Sequence, residues 1–426
     1  MLSFRFSFSS LIIVVMGTLT VLSMGLSAEN WPRWRGPSND GLSSENALAT
    51  SWSKTENVKW RVALPGPAPS TPVIWKDRIF LTSASGSDLL LLSLDKSGKL
   101  LWQQKIGDGN KDVRQGESNA ASPSPSTDGE HIWVFTGTGV LACYDYGGKE
   151  IWKYNVQDKY STFSMYWGMS TSPLLDGDRL YMQLLHSNAQ LVLALDKKTG
   201  GEIWKHERKT DARVESMHSY ASPLMYRHDG DEYLVTHGSD YVTAHNLDDG
   251  SEIWRIGGFQ GSSYNEYFRF VSSPVAGPGI IVAPSAKNGP TIGINPSGAK
   301  GDITNSEGNY HWKWDQNTTD VPSPLIHDNL VYICRENGVL FCIDGKTGEE
   351  VYKQSVYRKR HRGSPVYADG KIFLVAIDGT ISVIKAGREF ELLATNKMEE
   401  RMTASLAISD GIIYVRSYEA LYAIGK

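Results

Sequence analysis

SPLLDGDRLYMQLLHSNAQLVLALDKKTGGEIW, Ser172 to Trp204, is the stretch whose reading decides the fold. Asp176-Gly177-Asp178 and Asn188 fall between apolar runs, where short polar residues and glycine supply turn conformations that β-branched residues resist. The runs Leu180 to Leu185 and Leu191 to Leu195 are too short for stable helices and are bounded by turn residues, so they read as strands. In Ala194 to Trp204, Asp196 is placed to accept backbone N–H bonds across the next turn, and Gly200 to take positive φ. The unit is therefore four short strands in one sheet. Such a sheet cannot bury both faces alone and needs neighbours of its own kind.

The neighbours are in the chain. Aligning the opening proline gives Pro72, Pro125, Pro173, Pro223, Pro274, Pro324 and Pro365, spaced by 41 to 53 residues. A period of about 40–50 residues carrying four strands is that of a propeller blade, whereas helical repeats run nearer 34. The closing hairpin recurs as SLDKSGKLLW, CYDYGGKEIW, AHNLDDGSEIW and CIDGKTGEEVY, ending at Trp102, Trp152, Trp254 and Tyr352. Val58 to Val62, with Trp60, reads as a last strand with no blade before it, while Ser405 to Lys426 starts a blade and stops before its closing strand. The two fragments complete each other. The expectation is an all-β, eight-bladed β-propeller of four-stranded antiparallel blades, the last closed by the N-terminal strand, which leaves no free edge there.

The order Ala, Leu, Asp, two residues, Thr, Gly, three residues, Trp resembles the tryptophan-docking repeat of the pyrroloquinoline-quinone (PQQ) repeat propellers. That family includes quinoprotein alcohol dehydrogenases and the lipoprotein of the outer-membrane protein assembly machine. The resemblance covers nearly everything after Trp60 and implies that Trp60, Trp102, Trp152, Trp204, Trp254 and Tyr352 pack between blades. Blade five carries a polar insertion in Thr291 to Trp314, with Trp312 or Trp314 in the docking place. Blade seven, Ile381 to Leu393, has no tryptophan, and its docking contact is missing or made by Phe390.

Composition agrees with one large β domain. The 426 residues are 40% hydrophobic and 21% charged, with 41 glycines and a formal charge of −4, which argues against bulk attraction to nucleic acid. Leu11 to Leu22, after Arg5 and before the small residues Leu26-Ser27-Ala28, reads as a signal peptide over residues 1–28. Residues 29–57 read as an N-terminal strap, with Trp31 and Trp34 covering an edge or end of the ring, and 58–426 as the propeller. The expected location is therefore exported, periplasmic or extracellular and soluble. Three cysteines make no disulfide framework. Across a two-residue Asn337-Gly338 turn, Cys334 would face Phe341 and Cys342 would point to the other face, leaving packed free thiols.

In propellers of this family, the segments joining one blade's last strand to the next blade's first rim the central channel. Here they carry Glu117, Tyr166, Trp167, His218, Tyr220, Arg269, Arg360, His361, Arg362 and Arg401. The recurrence of arginine in separate segments suits a carboxylate, phosphate or sulfate, with Trp167 and Tyr220 as stacking faces. The bland alternative is arginines solvated or paired with nearby acids. The family's dehydrogenases carry an adjacent cysteine pair and a Glu/Asn/Asp calcium site. No Cys-Cys occurs here, and those acids find no matching positions. No metal-ligand spacing, phosphate-binding glycine loop or G-x-S-x-G nucleophile motif is present. No cofactor, metal or catalytic residue is therefore expected. The reading is a non-catalytic binding or scaffolding propeller of the cell envelope, taking a protein, peptide, acidic small molecule or glycan. Its rivals are an oxidoreductase using PQQ with calcium, and a hydrolase or lyase of acidic sugars.

Overall fold

A computed structural model describes residues 1–2, 29–114, 116–260, 263–286 and 288–426. The expected signal peptide lies almost wholly outside them. In the Ser172 unit, strands Leu174–Asp176, Arg179–His186, Ala189–Asp196 and Glu202–Glu207 pair in sequence order. His186 faces Ala189 across a two-residue turn. The Asp196 carboxylate accepts the N–H groups of Lys198 and Thr199 at 3.0 and 2.8 Å, and Gly200 follows at φ +68°. The conformation asked of that glycine strains any residue with a Cβ.

Eight such sheets make up the described chain, so the eight-bladed propeller expected from the repeats is the fold. The closing blade joins Ala407–Ser409, Ile412–Arg416 and Ala420–Ile424 to Val58–Ala63, which pairs antiparallel with the last strand from Val58 opposite Ile424 to Ala63 opposite Ala420. The polar insertion of blade five does something unforeseen. Its Gly301–Asp302 segment pairs parallel with Glu252–Ile256 and becomes a fifth strand on blade four.

Contacts between blades follow the closing hairpins. The indole N–H groups of Trp60, Trp102, Trp152 and Trp204 donate to the carbonyls of Lys96, Tyr146, Lys197 and Leu247 in the next blade's turn, at 2.7 to 3.2 Å. In blade five both indoles are used: Trp312 donates to Gly345 and Trp314 to Gly348. The turn glycines sit directly on the rings, since a Cβ on Gly98, Gly148, Gly200, Gly250 or Gly348 would lie within 3 Å of a tryptophan. Trp204 and Trp312 are buried, and truncating a buried tryptophan costs about 3–5 kcal/mol, while Trp60, Trp102 and Trp152 are partly buried. Two positions differ. Trp254 is buried but its N–H has no partner, because the rebuilt blade-five turn brings no carbonyl to it. Phe390 belongs to the receiving side, its ring packing edge-on against Tyr352 of blade six.

The cysteines are free and buried. The Cys334 register differs from the expected one. Arg335 and Val339 close a longer turn, so Cys334 faces Leu340 and Cys342 faces Tyr332. Both thiols therefore share one face and one apolar cluster, two residues out of step.

Residues after Glu29 cross the end of the ring where the first two strands of each blade turn. Trp31 exchanges two backbone hydrogen bonds with Ile74, Arg33 donates to Leu175 O, Arg35 to Pro324 O, and Tyr367 N–H to Gly41 O. These contacts reach blades one, three, six and seven. Arg35 is fully buried there, and desolvation pulls its pKa down to about 10.

Candidate functional site

The serine or threonine before each aligned proline builds the channel wall. The N–H of Thr71 donates to Ser124 Oγ at 2.9 Å, and the N–H of Ser124 donates to Ser172 Oγ at 3.0 Å. The relay continues from Ser172 to Ser222, then to Ser273, Ser323, Ser364 and Ser405, each step 2.8 to 3.0 Å. Blades two to eight thus each offer a hydroxyl to their predecessor's backbone, while the Thr71 hydroxyl of blade one is buried without a partner. Ser and Thr place a hydroxyl acceptor close to their own main chain, while the proline that follows in blades one to seven fixes the strand entry and gives up no needed donor.

Above this girdle the linkers carry a necklace of alternating charge. Glu117 accepts from Arg362 at 2.7 Å and from Arg360, with Arg114 at 3.7 Å. Arg114 stacks over Trp167, whose indole N–H donates to Glu215 at 2.7 Å. Glu215 lies 3.9 Å from Arg269, which bonds Asp320 at 2.8 Å. Asp320 and Val321 in turn give their N–H groups to Glu336. Burial, with Asp320 alongside, raises the pKa of Glu336. Burial also lowers that of Arg362, against the opposing pull of Glu117.

Girdle and necklace enclose a cavity of about 180 Å³. Trp34 of the strap lines it together with the seven girdle serines, so the strap end of the channel is closed by an indole. Of the residues expected at the mouth, Glu117, Trp167, Tyr220, Arg269 and Arg362 meet in this lining. His218, Arg360, His361 and Arg401 lie outside it. His218 bonds Ser187 at 2.8 Å and packs against Tyr166, and His361 bonds Lys359 O at 2.9 Å; burial lowers the pKa of both. Arg360 is half-exposed on the rim beside Glu117, and Arg401 is exposed with its guanidinium over Tyr418. Sequence reasoning missed Arg114, Glu215 and Asp320, whereas Trp34, expected to cover an edge or end of the ring, forms the floor of the cavity. Asp320 was discoverable, lying three residues before Ser323 at the spacing that flags rim positions. Glu215 had no such signal, because its place depends on the short 3₁₀ turn Val214–Met217.

The family model described as outer membrane protein assembly factor BamB matches residues 90–299 and 299–424. The chain belongs to that PQQ-repeat family. No curated protein matches it. Among solved structures, BamB from Moraxella catarrhalis is 14% identical with a TM-score of 0.60, over 86% of this chain and 96% of that one. Quinohemoprotein alcohol dehydrogenase from Comamonas testosteroni is 12% identical with a TM-score of 0.69, over 93% and 81%. A europium-containing methanol dehydrogenase is 12% identical with a TM-score of 0.66, over 92% and 90%. At these identities the likeness is one of fold.

Glu117, Glu215 and Asp320 each already face an arginine. Among the described residues no group of three His, Cys, Asp or Glu is arranged to hold a metal ion. The cysteines sit inside blades two and six, away from the cavity. A calcium-held quinone does not match this donor set. Among the described residues no helix is long and apolar enough to cross a membrane.

Proposed function

We propose that this chain is a non-catalytic binding propeller of the cell envelope, using its channel mouth to hold an acidic group presented by a protein, peptide or glycan. The observation that carries this reading is the cavity lining, where Arg114 and Arg362, with Arg360 on the rim, share the single acid Glu117 beside the aromatic faces of Trp167 and Tyr220, and Arg269 is held by Asp320 and Glu215. Guanidinium groups held by packing recognise carboxylate and phosphate with little ordering cost. The cavity is smaller than the ~300–1,000 Å³ typical of sites that engulf a drug-sized molecule. A larger partner therefore inserts an end group and lies across the rim. The family's described role in outer membrane protein assembly supports a macromolecular partner in the envelope.

The test is a binding screen of acidic sugars and acidic envelope peptides, read by tryptophan fluorescence and thermal shift. Hits should be lost in the combined Arg269→Ala, Arg362→Ala and Arg401→Ala variant. Unchanged affinity for every hit in a folded variant would discard the reading.

A further inference from the structure

The girdle serines hold more than the blades. Each of the seven hydroxyl oxygens, from Ser124 to Ser405, accepts one backbone N–H from the blade before it. A hydroxyl has one proton to give as well as lone pairs to receive. Among the described hydrogen bonds none has one of these seven hydroxyls as donor. All seven line the same cavity. The wall therefore presents a circle of O–H groups whose oxygens are already fixed by the backbone, so that their protons are left to turn inward.

Two further observations point to a ligand there. Arg362 is only 7% exposed and its Nε and Nη1 are buried without a partner, while its Nη2 is spent on Glu117. Tyr220 is 5% exposed, and its buried hydroxyl, which the backbone N–H groups of Trp167 and Tyr166 approach, has no acceptor for its own proton among the described hydrogen bonds. Buried polar groups are seldom left so, because a group taken out of water without a partner is unfavourable until it is satisfied. Asp320 and Glu215 already engage Arg269, but Arg114, Arg360 and Arg362 share the one carboxylate of Glu117, so the charge on that side of the cavity favours an anion. Glu117 already shows what these arginines accept: an oxygen anion held by several guanidinium groups at once.

We infer that the channel axis is a binding site for one oxyanion group, a sulfate, phosphate or carboxylate, ringed by the serine hydroxyls and capped by Arg362, with Trp34 closing the far side. The site rests on the mouth reading in one respect, because the anion enters past the arginine necklace. It differs in what is recognised: the group itself, by convergent O–H donors on the axis, rather than a partner's surface. The same chemistry serves a free inorganic ion and the end group of a larger molecule.

The experiment titrates inorganic sulfate, inorganic phosphate and glucuronate into the full chain by calorimetry at constant ionic strength. Saturable one-to-one binding is expected, weakened about tenfold in Arg362→Gln and in Ser222→Ala with Ser364→Ala, and retained in Ser222→Thr with Ser364→Thr, which keeps the hydroxyls. Tighter binding of the inorganic ions identifies a free ion as occupant, and tighter binding of glucuronate identifies an end group. If none of the three saturates, or the alanine and glutamine variants bind like the parent, the site does not exist. Should the alanine variants fail to fold, crystals of the unaltered protein soaked in bromide decide: an anomalous peak inside the girdle supports the site, and peaks confined to the outer surface overturn it. If sulfate, phosphate and glucuronate fail while peptide hits at the rim persist, only this inference falls. If both fail, the mouth reading falls with it.

Discussion

Three of the five buried histidines make this propeller acid-sensitive in a way that can be worked out residue by residue. His186, His237 and His245 are fully buried, and desolvation drives their pKa values down to about 4, about 4 and about 3. Each is held as a neutral ring. The Nε2–H of His237 donates to Pro284 O at 2.7 Å, the Nδ1–H of His245 donates to Gly250 O at 3.0 Å, and the Nδ1 of His186 accepts the Asn188 N–H. Buried Arg208 pushes the pKa values of His237 and His245 further down. The sign follows from where the protons go. Above the unfolded value of about 6.5, folded and unfolded rings are both neutral and the full stability is present. Below it the unfolded chain takes up protons that the folded chain refuses, so stability falls until the folded values are reached. Between about pH 7 and about pH 5 the loss is about 2 kcal/mol per histidine, about 6 kcal/mol for the three. Asp40, Asp240 and Glu336, raised by burial, act in the opposite sense and regain part of this as pH falls. Differences between variants cancel their contribution. Urea denaturation at both pH values should therefore show that His237→Gln and His245→Gln each reduce the acid loss by about 2 kcal/mol relative to the parent. Parallel pH dependence of parent and variants would refute the argument.

Two further outcomes are expected. Gly250→Ala should cost about 2–3 kcal/mol in chemical denaturation, because its φ is +74° and the new methyl would meet Trp204 at 2.4 Å; Gly230→Ala, at φ +87° with open space around it, should cost only about 1. Glu117→Gln should lower stability by about 3 kcal/mol by leaving buried Arg362 without its counter-charge, whereas Arg360→Gln, on the half-exposed rim, should change it by less than about 1.

The architecture was legible because it is written in turns. Asp196, Gly200 and Trp204 act within a few residues of one another, and so do their counterparts in other blades, so period and spacing led directly to eight sheets. The shared closing blade was legible for the same reason, since Val58 to Val62 and the segment ending at Ile424 each lack what the other has. The site was only half legible. Arg269 and Arg362 stood out as cations in rim linkers, but their partners Asp320 and Glu117 come from other linkers, and no local spacing couples them. The serines were visible in every repeat yet read only as markers of strand entry. Their role emerges when Ser172 is seen beside Ser222, fifty residues away in sequence. The insertion strand Gly301–Asp302 was hidden because its pairing reaches back into the preceding blade.

The Val58–Ala63 seam also governs how the molecule comes into being. The first strand made has no mate until the final residues arrive, and the Arg416 to Ser70 hydrogen bond beside that seam spans 346 positions. Blades one to seven are able to assemble progressively from nearby segments, but circular closure is a late, long-range event with a high entropic cost of bringing the termini together. Until then both lips of the unfinished circle offer unpaired main chain to any stray strand, and an escort that masks them during biogenesis would protect this protein at its most vulnerable moment.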